Sequence, residues 1–446
     1  MARTNNFNTG YIIAISFISA LGGYLFGFDF AVISGALPFL RTQFGLTAWW
    51  EGFLTGSLAL GCIAGCVIAG AISDRYGRKP GLMMAALIFA VSSLGMAFSG
   101  SLSTFIMMRF TAGIGVGMAS MLSPMYIAEI SPASVRGRNV AINQLTIVIG
   151  ILITNLVNYL LANKGVDAWR WMFGLGVVPS ALFLLGVLWL PESPRWLMQA
   201  NQQERARRIL GRIGNPDFAE TTITDIKRSL QGGTKKVTLA DVFAPSARKA
   251  VILGIALAVF QQFCGINVVF NYTSTIFESV GANLNQQLFE TVSIGAVNLV
   301  FTLIAMWQVD KLGRKPLMLT GSIGLSIIYV ILALWLKSHV AATLISALVL
   351  IAIALYATSL APVTWVLIAE IFPNHIRGRA TSVAVISLWA AYFVLVFTFP
   401  VLAKELGAYG PFYMYAGICV LGFLFIRKRV TETKGKTLEE IEGIMH

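Results

Sequence analysis

Long apolar stretches alternate with short polar connections along almost the whole chain. Each stretch reaches roughly 20 residues, enough for a helix to cross a hydrocarbon core of ~30 Å. About 12 such spans are predicted, at residues 11-39, 52-73, 81-99, 103-128, 139-162, 171-190, 249-279, 287-308, 317-336, 341-369, 380-403 and 410-427. Apolar residues occupy every side of these helices rather than one stripe. A soluble helical core would need polar outer faces, so the pattern argues against one. An all-α membrane protein is predicted.

Composition agrees: 57% of the 446 residues are hydrophobic and 12% charged, against roughly 25% charged in a soluble domain. The net charge of +13 could suggest a nucleic-acid partner, but the basic residues form no single patch. Most lie at the N-terminus, in the even-numbered connections and at the C-terminus, among them Arg75, Arg78 and Lys79. Arg41, Lys164, Arg170, Lys337 and Lys404 fall on the opposite side. By the positive-inside rule both termini and the 191-247 connection are expected in the cytoplasm. Basicity therefore reports topology, with the lipid bilayer as partner and no nucleic acid. The opening MARTNNFNTGYII runs into the first span without a small-residue cleavage site, so no removable signal peptide is expected. Cys62, Cys66, Cys264 and Cys419 all fall inside spans, so no disulfide framework, metal site or cofactor follows. Cys62 and Cys66, one turn apart, read as small packing residues.

The chain repeats itself. Asp74-Arg-Tyr-Gly-Arg-Lys-Pro80 returns as Asp310-Lys-Leu-Gly-Arg-Lys-Pro316, and Ala-Glu129-Ile-Ser-Pro with Arg136-Gly-Arg138 returns as Ala-Glu370-Ile-Phe-Pro with Arg377-Gly-Arg379. A weaker third pair sets Pro-Glu192-Ser-Pro-Arg195 against Thr-Glu432-Thr-Lys-Gly435. Three landmarks in one order predict two pseudo-symmetric six-helix halves, 1-190 and 248-428. A cytoplasmic linker with short helices, 191-247, joins them, and a cytoplasmic tail follows at 429-446. Parallel halves of this kind suit a substrate site near the membrane midplane, reached by rocking one half against the other.

These motifs, with Gly70 before the first of them, PESPR at 191-195, QQFCGINVVF at 261-270 and VTETKG at 430-435, resemble the sugar porter family of the major facilitator superfamily over nearly the whole chain. The bacterial proton-coupled monosaccharide symporters are the nearer branch and the animal glucose facilitators the more distant one. The resemblance implies the major facilitator fold, no enzymatic activity, a monosaccharide and a proton as cargo, and a monomer in the bacterial inner membrane.

The residues give that expectation chemistry. Asp29 sits in Phe26-Gly-Phe-Asp-Phe30 of the first span, where an ionised side chain costs at least ~2.5 kcal/mol. Arg109, just before Gly113-Ile-Gly115-Val-Gly117 in the fourth span, is the obvious counter-charge. Pairing would keep the carboxylate ionised, and separation with desolvation would favour proton uptake. In the proton-coupled relatives the matching Asp is the proton site and the matching Arg tunes it. The alternative is a static structural ion pair.

A sugar is uncharged and covered in hydroxyls, so its site needs neutral donors and acceptors beside an aromatic platform. Gln261, Gln262 and Asn267 crowd the seventh span, with Gln262 and Asn267 nearly facing one another around a helix and Gly265 loosening the turn between. Gln144, Asn298 and Trp365 add groups from the fifth, eighth and tenth spans, and the resemblance places Trp389 and Phe26 beside them. Asn271, Ala361 and Leu388 depart from the family pattern of a second tyrosine, a glycine and a Gln or Asn. Ile151 matches the animal facilitators. Asp74, Arg75, Arg78, Glu129, Arg136 and Glu192, mirrored by Asp310, Arg314, Glu370 and Arg377, are expected to act as cytoplasmic gate charges that join the halves when that side is closed. Pro124, Pro362 and Pro373 are expected to break helices. The main reading is a proton-coupled monosaccharide importer. A facilitative uniporter and a transporter-like sugar sensor are the alternatives, and no nucleophile-base pairing or phosphate loop points to an enzyme.

Overall fold

The computed structural model describes residues 7-132, 134-231, 239-373 and 376-434. The chain begins with α1 (Thr9–Phe44), α2 (Ala48–Tyr76), α3 (Arg78–Ala97), α4 (Leu102–Ile130), α5 (Arg136–Leu161), α6 (Ala168–Gly174) and α7 (Val177–Trp189). The polar connection holds α8 (Pro194–Gln199), α9 (Gln203–Ile213), α10 (Pro216–Gln231) and α11 (Leu239–Val242). Then follow α12 (Pro245–Phe263), α13 (Ile266–Asn271), α14 (Thr273–Glu278), α15 (Leu284–Leu312) and α16 (Arg314–Lys337). The chain continues through α17 (Ala342–Thr358), α18 (Leu360–Ile371), α19 (Arg377–Leu406) and α20 (Gly410–Arg429). Among the described residues, twelve segments are long and apolar enough to cross a membrane, with α6 and α7, α12 and α13, and α17 and α18 each forming one of them. No strand occurs among the described residues.

Local chemistry sets the helix ends. Gly45, in the left-handed region at φ 58°, stops α1 and returns its N–H to the Arg41 carbonyl. Side chains of Thr47 and Ser101 accept the N–H of Trp50 and Thr104 at the starts of α2 and α4, and Asn283 with Gln286 builds a capping box on α15. Three predicted features change. The seventh stretch is not one helix, because Gly265 takes φ 87° and divides α12 from α13. The tenth divides at Ser359, ahead of Pro362. Pro124 does not break a helix: it lies inside an unbroken α4, whose neighbours hold the backbone in place, whereas Pro373 follows the end of α18.

Helices approach closely wherever glycine removes a side chain. A methyl group added at Gly61, Gly113 or Gly117 would run into the carbonyls of Phe110, Leu58 or Cys62, so α2 and α4 touch backbone to backbone. Large apolar residues such as Val67, Val91, Leu160, Leu182 and Leu421 remain exposed on the outside, as lipid-facing positions should. The helices before α8 pack on one another, as do those from α12 onward, and the two sets meet mainly where α2 lies along α19 and α5 along α15. Asn155 on α5 donates to the Thr291 carbonyl of α15 at 2.7 Å across this seam. The linker helices lean on the first set: Asn8 N–H donates to the Ile213 carbonyl at 2.9 Å, and the Trp196 indole donates to the Asp74 carbonyl at 3.2 Å.

Candidate functional site

Asp29 is fully buried on α1, and Arg109, equally buried on α4, faces it with Nη1 3.5 Å from Oδ2. Arg109 Nε donates to the Leu54 carbonyl of α2 at 3.1 Å, and its guanidinium lies over the Phe173 ring, 5.9 Å from the centroid. Among the described residues, neither carboxylate oxygen of Asp29 and neither terminal nitrogen of Arg109 has a hydrogen-bond partner. The sequence pairing is therefore realised as charge attraction without the short, directional bonds of a bidentate Arg–carboxylate pair. Such a carboxylate depends on one neighbouring charge, and a small helix displacement alters that dependence strongly where little water screens it.

The amides of the seventh span form a connected chain across the break at Gly265. Gln261 Nε2 donates to the carbonyls of Ala361 at 3.2 Å and Leu360 at 3.4 Å, and Gln262 Nε2 donates to Gln261 Oε1 at 3.4 Å. Asn267 Nδ2 donates to Gln262 Oε1, and Asn271 Nδ2 to the Asn267 carbonyl at 2.6 Å. Tyr392 of α19 closes the chain by donating its hydroxyl to Asn271 Oδ1 at 3.0 Å. The backbone carbonyls only accept, so they fix which way each amide faces. Gln262 and Asn267, expected nearly to face one another around one helix, bond directly across the break at Gly265.

An aromatic cluster adjoins the amides. Phe26 and Trp389 stand 5.5 Å apart between ring centroids, Phe26 and Phe30 6.0 Å, Phe30 and Phe270 5.7 Å, and Trp389 and Tyr392 5.7 Å. Phe30, adjacent to Asp29, also lies 5.8 Å from Tyr392. Ile151, Leu388 and Asn298 are buried on α5, α19 and α15, Gln144 is half-buried on α5, and Trp365 is exposed on α18. Gln144, Asn298 and Trp365 make no hydrogen bond to the amide chain among the described residues. The sequence reading missed Phe30, Phe270 and Tyr392. Tyr392 was within reach of it, since it follows Trp389 by three residues and so shares its helix face.

The repeated charges pair inside each set of helices. Arg78 holds Glu129 through two hydrogen bonds, at 2.8 and 2.7 Å, and Ser193 donates to the same carboxylate at 2.5 Å. In the mirrored place Arg314 meets Glu370 at 3.1 Å and Thr433 donates to it at 2.6 Å. Arg136 and Arg377 each turn back to a carbonyl, that of Ser131 and that of Phe372. Glu192 accepts the N–H of Arg78 at 2.9 Å and of Lys79 at 3.2 Å, and Glu432 accepts those of Arg314 and Lys315 at 3.0 Å. Each glutamate thus caps a helix over a glycine, Gly77 or Gly313, where a side chain would collide with it. Burial pushes the Glu192 carboxyl up. At Glu432 burial pushes upward too, but the N–H groups of Lys434, Arg314 and Lys315 outweigh it and hold the carboxyl below the usual value. Arg75 lies over the Tyr76 ring, and Asp74 contributes its carbonyl to Trp196. The Asp310 side chain lies outside the described residues. Among those described, no ion pair at this end joins the two sets.

The opposite end is joined. Arg41 donates twice to Glu51 at 2.6 Å within its own set, then across to Glu278 at 2.6 Å and Thr275 at 2.5 Å on α14. Ser274 adds a bond to the Ser34 carbonyl at 2.6 Å. Arg41 thus joins the two sets at this end, while the described pairs Arg78–Glu129 and Arg314–Glu370 at the repeated-motif end each stay within one set. The sequence reading treated Arg41 only as a topology marker.

Comparison with known proteins fits this geometry. The family model described as "Sugar (and other) transporter" matches residues 15–445. The D-xylose-proton symporter of Escherichia coli K12 is 38% identical over 98% of this chain and 96% of its own. The arabinose-proton symporter of Bacillus subtilis is 38% identical over 99% and 96%. The partially occluded, inward-open structure of the E. coli xylose transporter XylE superposes with a TM-score of 0.87 at 37% identity, covering 96% of this chain and all of that one. The fold is that of the major facilitator superfamily, and the protein is a multi-pass membrane transporter rather than an enzyme. The chain belongs to the Sugar (and other) transporter family.

Proposed function

We propose that this protein imports a monosaccharide together with a proton across a bacterial inner membrane, acting as a monomer with both termini in the cytoplasm. Residues 1-190 and 248-428 are the two halves that rock against each other, and 191-247 is the linker. What carries the reading is one juxtaposition. A buried carboxylate, held by Arg109 through charge attraction, sits next in sequence to Phe30, whose ring packs against Phe26, Phe270 and Tyr392, the last of which bonds the amide of Asn271. Asp29 takes and releases the proton, and Arg109 tunes it. Gln144, Gln261, Gln262, Asn267, Asn271 and Asn298 offer donors and acceptors to sugar hydroxyls. Phe26, Trp365 and Trp389 supply ring faces, and Ile151 and Leu388 limit which hydroxyls are read. The named substrates of two relatives, xylose and arabinose, support a pentose or hexose.

Alternating access requires each end to open in turn. The Arg41 cluster is the outer seal. Arg78–Glu129 and Arg314–Glu370 each pair within one half here, and closing the cytoplasmic end would bring the two motif sets together. The intact Asp29–Arg109 pair also favours a second reading, a facilitator in which the pair is static. Uptake of labelled D-xylose, L-arabinose and D-glucose into liposomes, with and without an imposed pH gradient, separates the two. Proton-driven accumulation, lost in Asp29→Asn while exchange persists, is the expected result. Accumulation retained in Asp29→Asn sinks the proton assignment.

A further inference from the structure

We infer that Tyr392 is a positioning residue for the sugar site, acting through Asn271. The inference rests on the transport reading above and adds to it a residue that directs part of the recognition without touching sugar.

Asn271 Nδ2 must face the Asn267 carbonyl, because that oxygen can only accept. Its Oδ1 then points at α19, where the only group bonded to it among the described residues is the Tyr392 hydroxyl. Asn271 is fully buried and Tyr392 is 2% exposed, so water cannot replace that donor cheaply. Without the hydroxyl the amide is left with an unpaired oxygen and no reason to keep its orientation. Asn271 grips the carbonyl of Asn267, whose own side chain continues the chain to Gln262 and Gln261. The break at Gly265 frees α13 from the helical ladder of α12, so these side-chain bonds fix α13 beside the amides of α12.

Tyr272, the next residue, makes a useful contrast. Its hydroxyl donates to the Val396 carbonyl of α19 at 2.8 Å, a bond between a side chain and the backbone that docks α13 on α19 but orients no amide. Tyr392 is different in kind. Its ring packs against Trp389 and Phe30, and its hydroxyl enters the amide chain. Tyr392→Phe keeps the ring packing and deletes only the orienting bond.

The test is sugar counterflow in liposomes at equal internal and external pH, using labelled D-xylose, L-arabinose and D-glucose. In Tyr392→Phe the half-saturation concentration should rise about five- to tenfold, the worth of one such bond. Maximal rate should stay within about twofold, with only a small fall in melting temperature in detergent, since a single buried bond is lost from a large bundle. Asn271→Ala should raise half-saturation similarly, and the double variant should be no worse than Asn271→Ala alone, because the hydroxyl has nothing left to orient. An unchanged half-saturation in Tyr392→Phe, additive effects in the double variant, or a fall in rate and melting temperature together would each overturn the inference. Absence of counterflow for all three sugars in the unsubstituted protein would instead sink the sugar reading, and this inference with it.

Discussion

At the scale of single residues, the same side-chain type does different work according to what surrounds it. Asp29 has one counter-charge and no hydrogen bond, whereas Glu192 and Glu432 receive two backbone N–H groups each at a helix start. Glu432 is held below its ordinary carboxylate value, so the folded protein binds that proton less readily than the unfolded chain. Its stabilisation is present above the unfolded value and is lost as pH falls through the lowered folded one. The melting-temperature difference between the unsubstituted protein and Glu432→Gln in detergent should therefore be largest near neutral pH and shrink below about pH 4.5. A difference that grows on acidification would contradict the capping role.

At the scale of elements, the two broken spans and the Arg41 cluster matter most. Helix α14 is a six-residue piece tied to α1 and α2 through Arg41, Thr275 and Ser274. Short helices gain little from their own hydrogen bonds, so these contacts largely decide where it sits. Glu278→Gln removes the charge that Arg41 reaches across the seam and leaves Glu51 in place. Its expected effect is a weaker outer seal, read as faster labelling of a cysteine introduced at Ser34 by an external thiol reagent. Labelling at the unsubstituted rate would show that Arg41 and Glu278 do not hold the end shut. Many of the hydrophobic boundaries were legible in the sequence, but the break at Gly265 was read only as a loosened turn. Nothing in a run of apolar residues distinguishes a glycine in the right-handed region from one at φ 87°; the choice is made by α20, whose Tyr415 ring lies where a side chain at 265 would go.

At the scale of the whole molecule, the sealed end and the local pairing of the motif charges are two sides of one arrangement. Where α2 meets α19, an added side chain at Gly52 would strike the Phe397 carbonyl, and one at Gly56 the Phe393 ring. Gly52→Leu should wedge the sealed end apart and favour the state open on that side. Binding of a labelled sugar presented from the outer face of right-side-out vesicles should persist while net translocation falls at least tenfold. Normal translocation in that variant would mean the seam tolerates a gap there.

The spans, the internal repeat, the candidate ion pair and the polar residues of the seventh span were all determined by the sequence, because length, hydropathy and side-chain chemistry are local properties. The repeat also announced the paired charge motifs, though not that Ser193 and Thr433 share their glutamates with Arg78 and Arg314. Tertiary structure alone decided that Asp29 and Arg109 meet without a hydrogen bond, that the Tyr392 hydroxyl donates to Asn271, and that Arg41 bridges the two sets of helices where, among the described residues, no motif ion pair does. Each depends on distances between helices far apart in sequence, and those distances come from the packing of whole faces, including the glycine contacts of α1 with α5 and of α2 with α4 and α19.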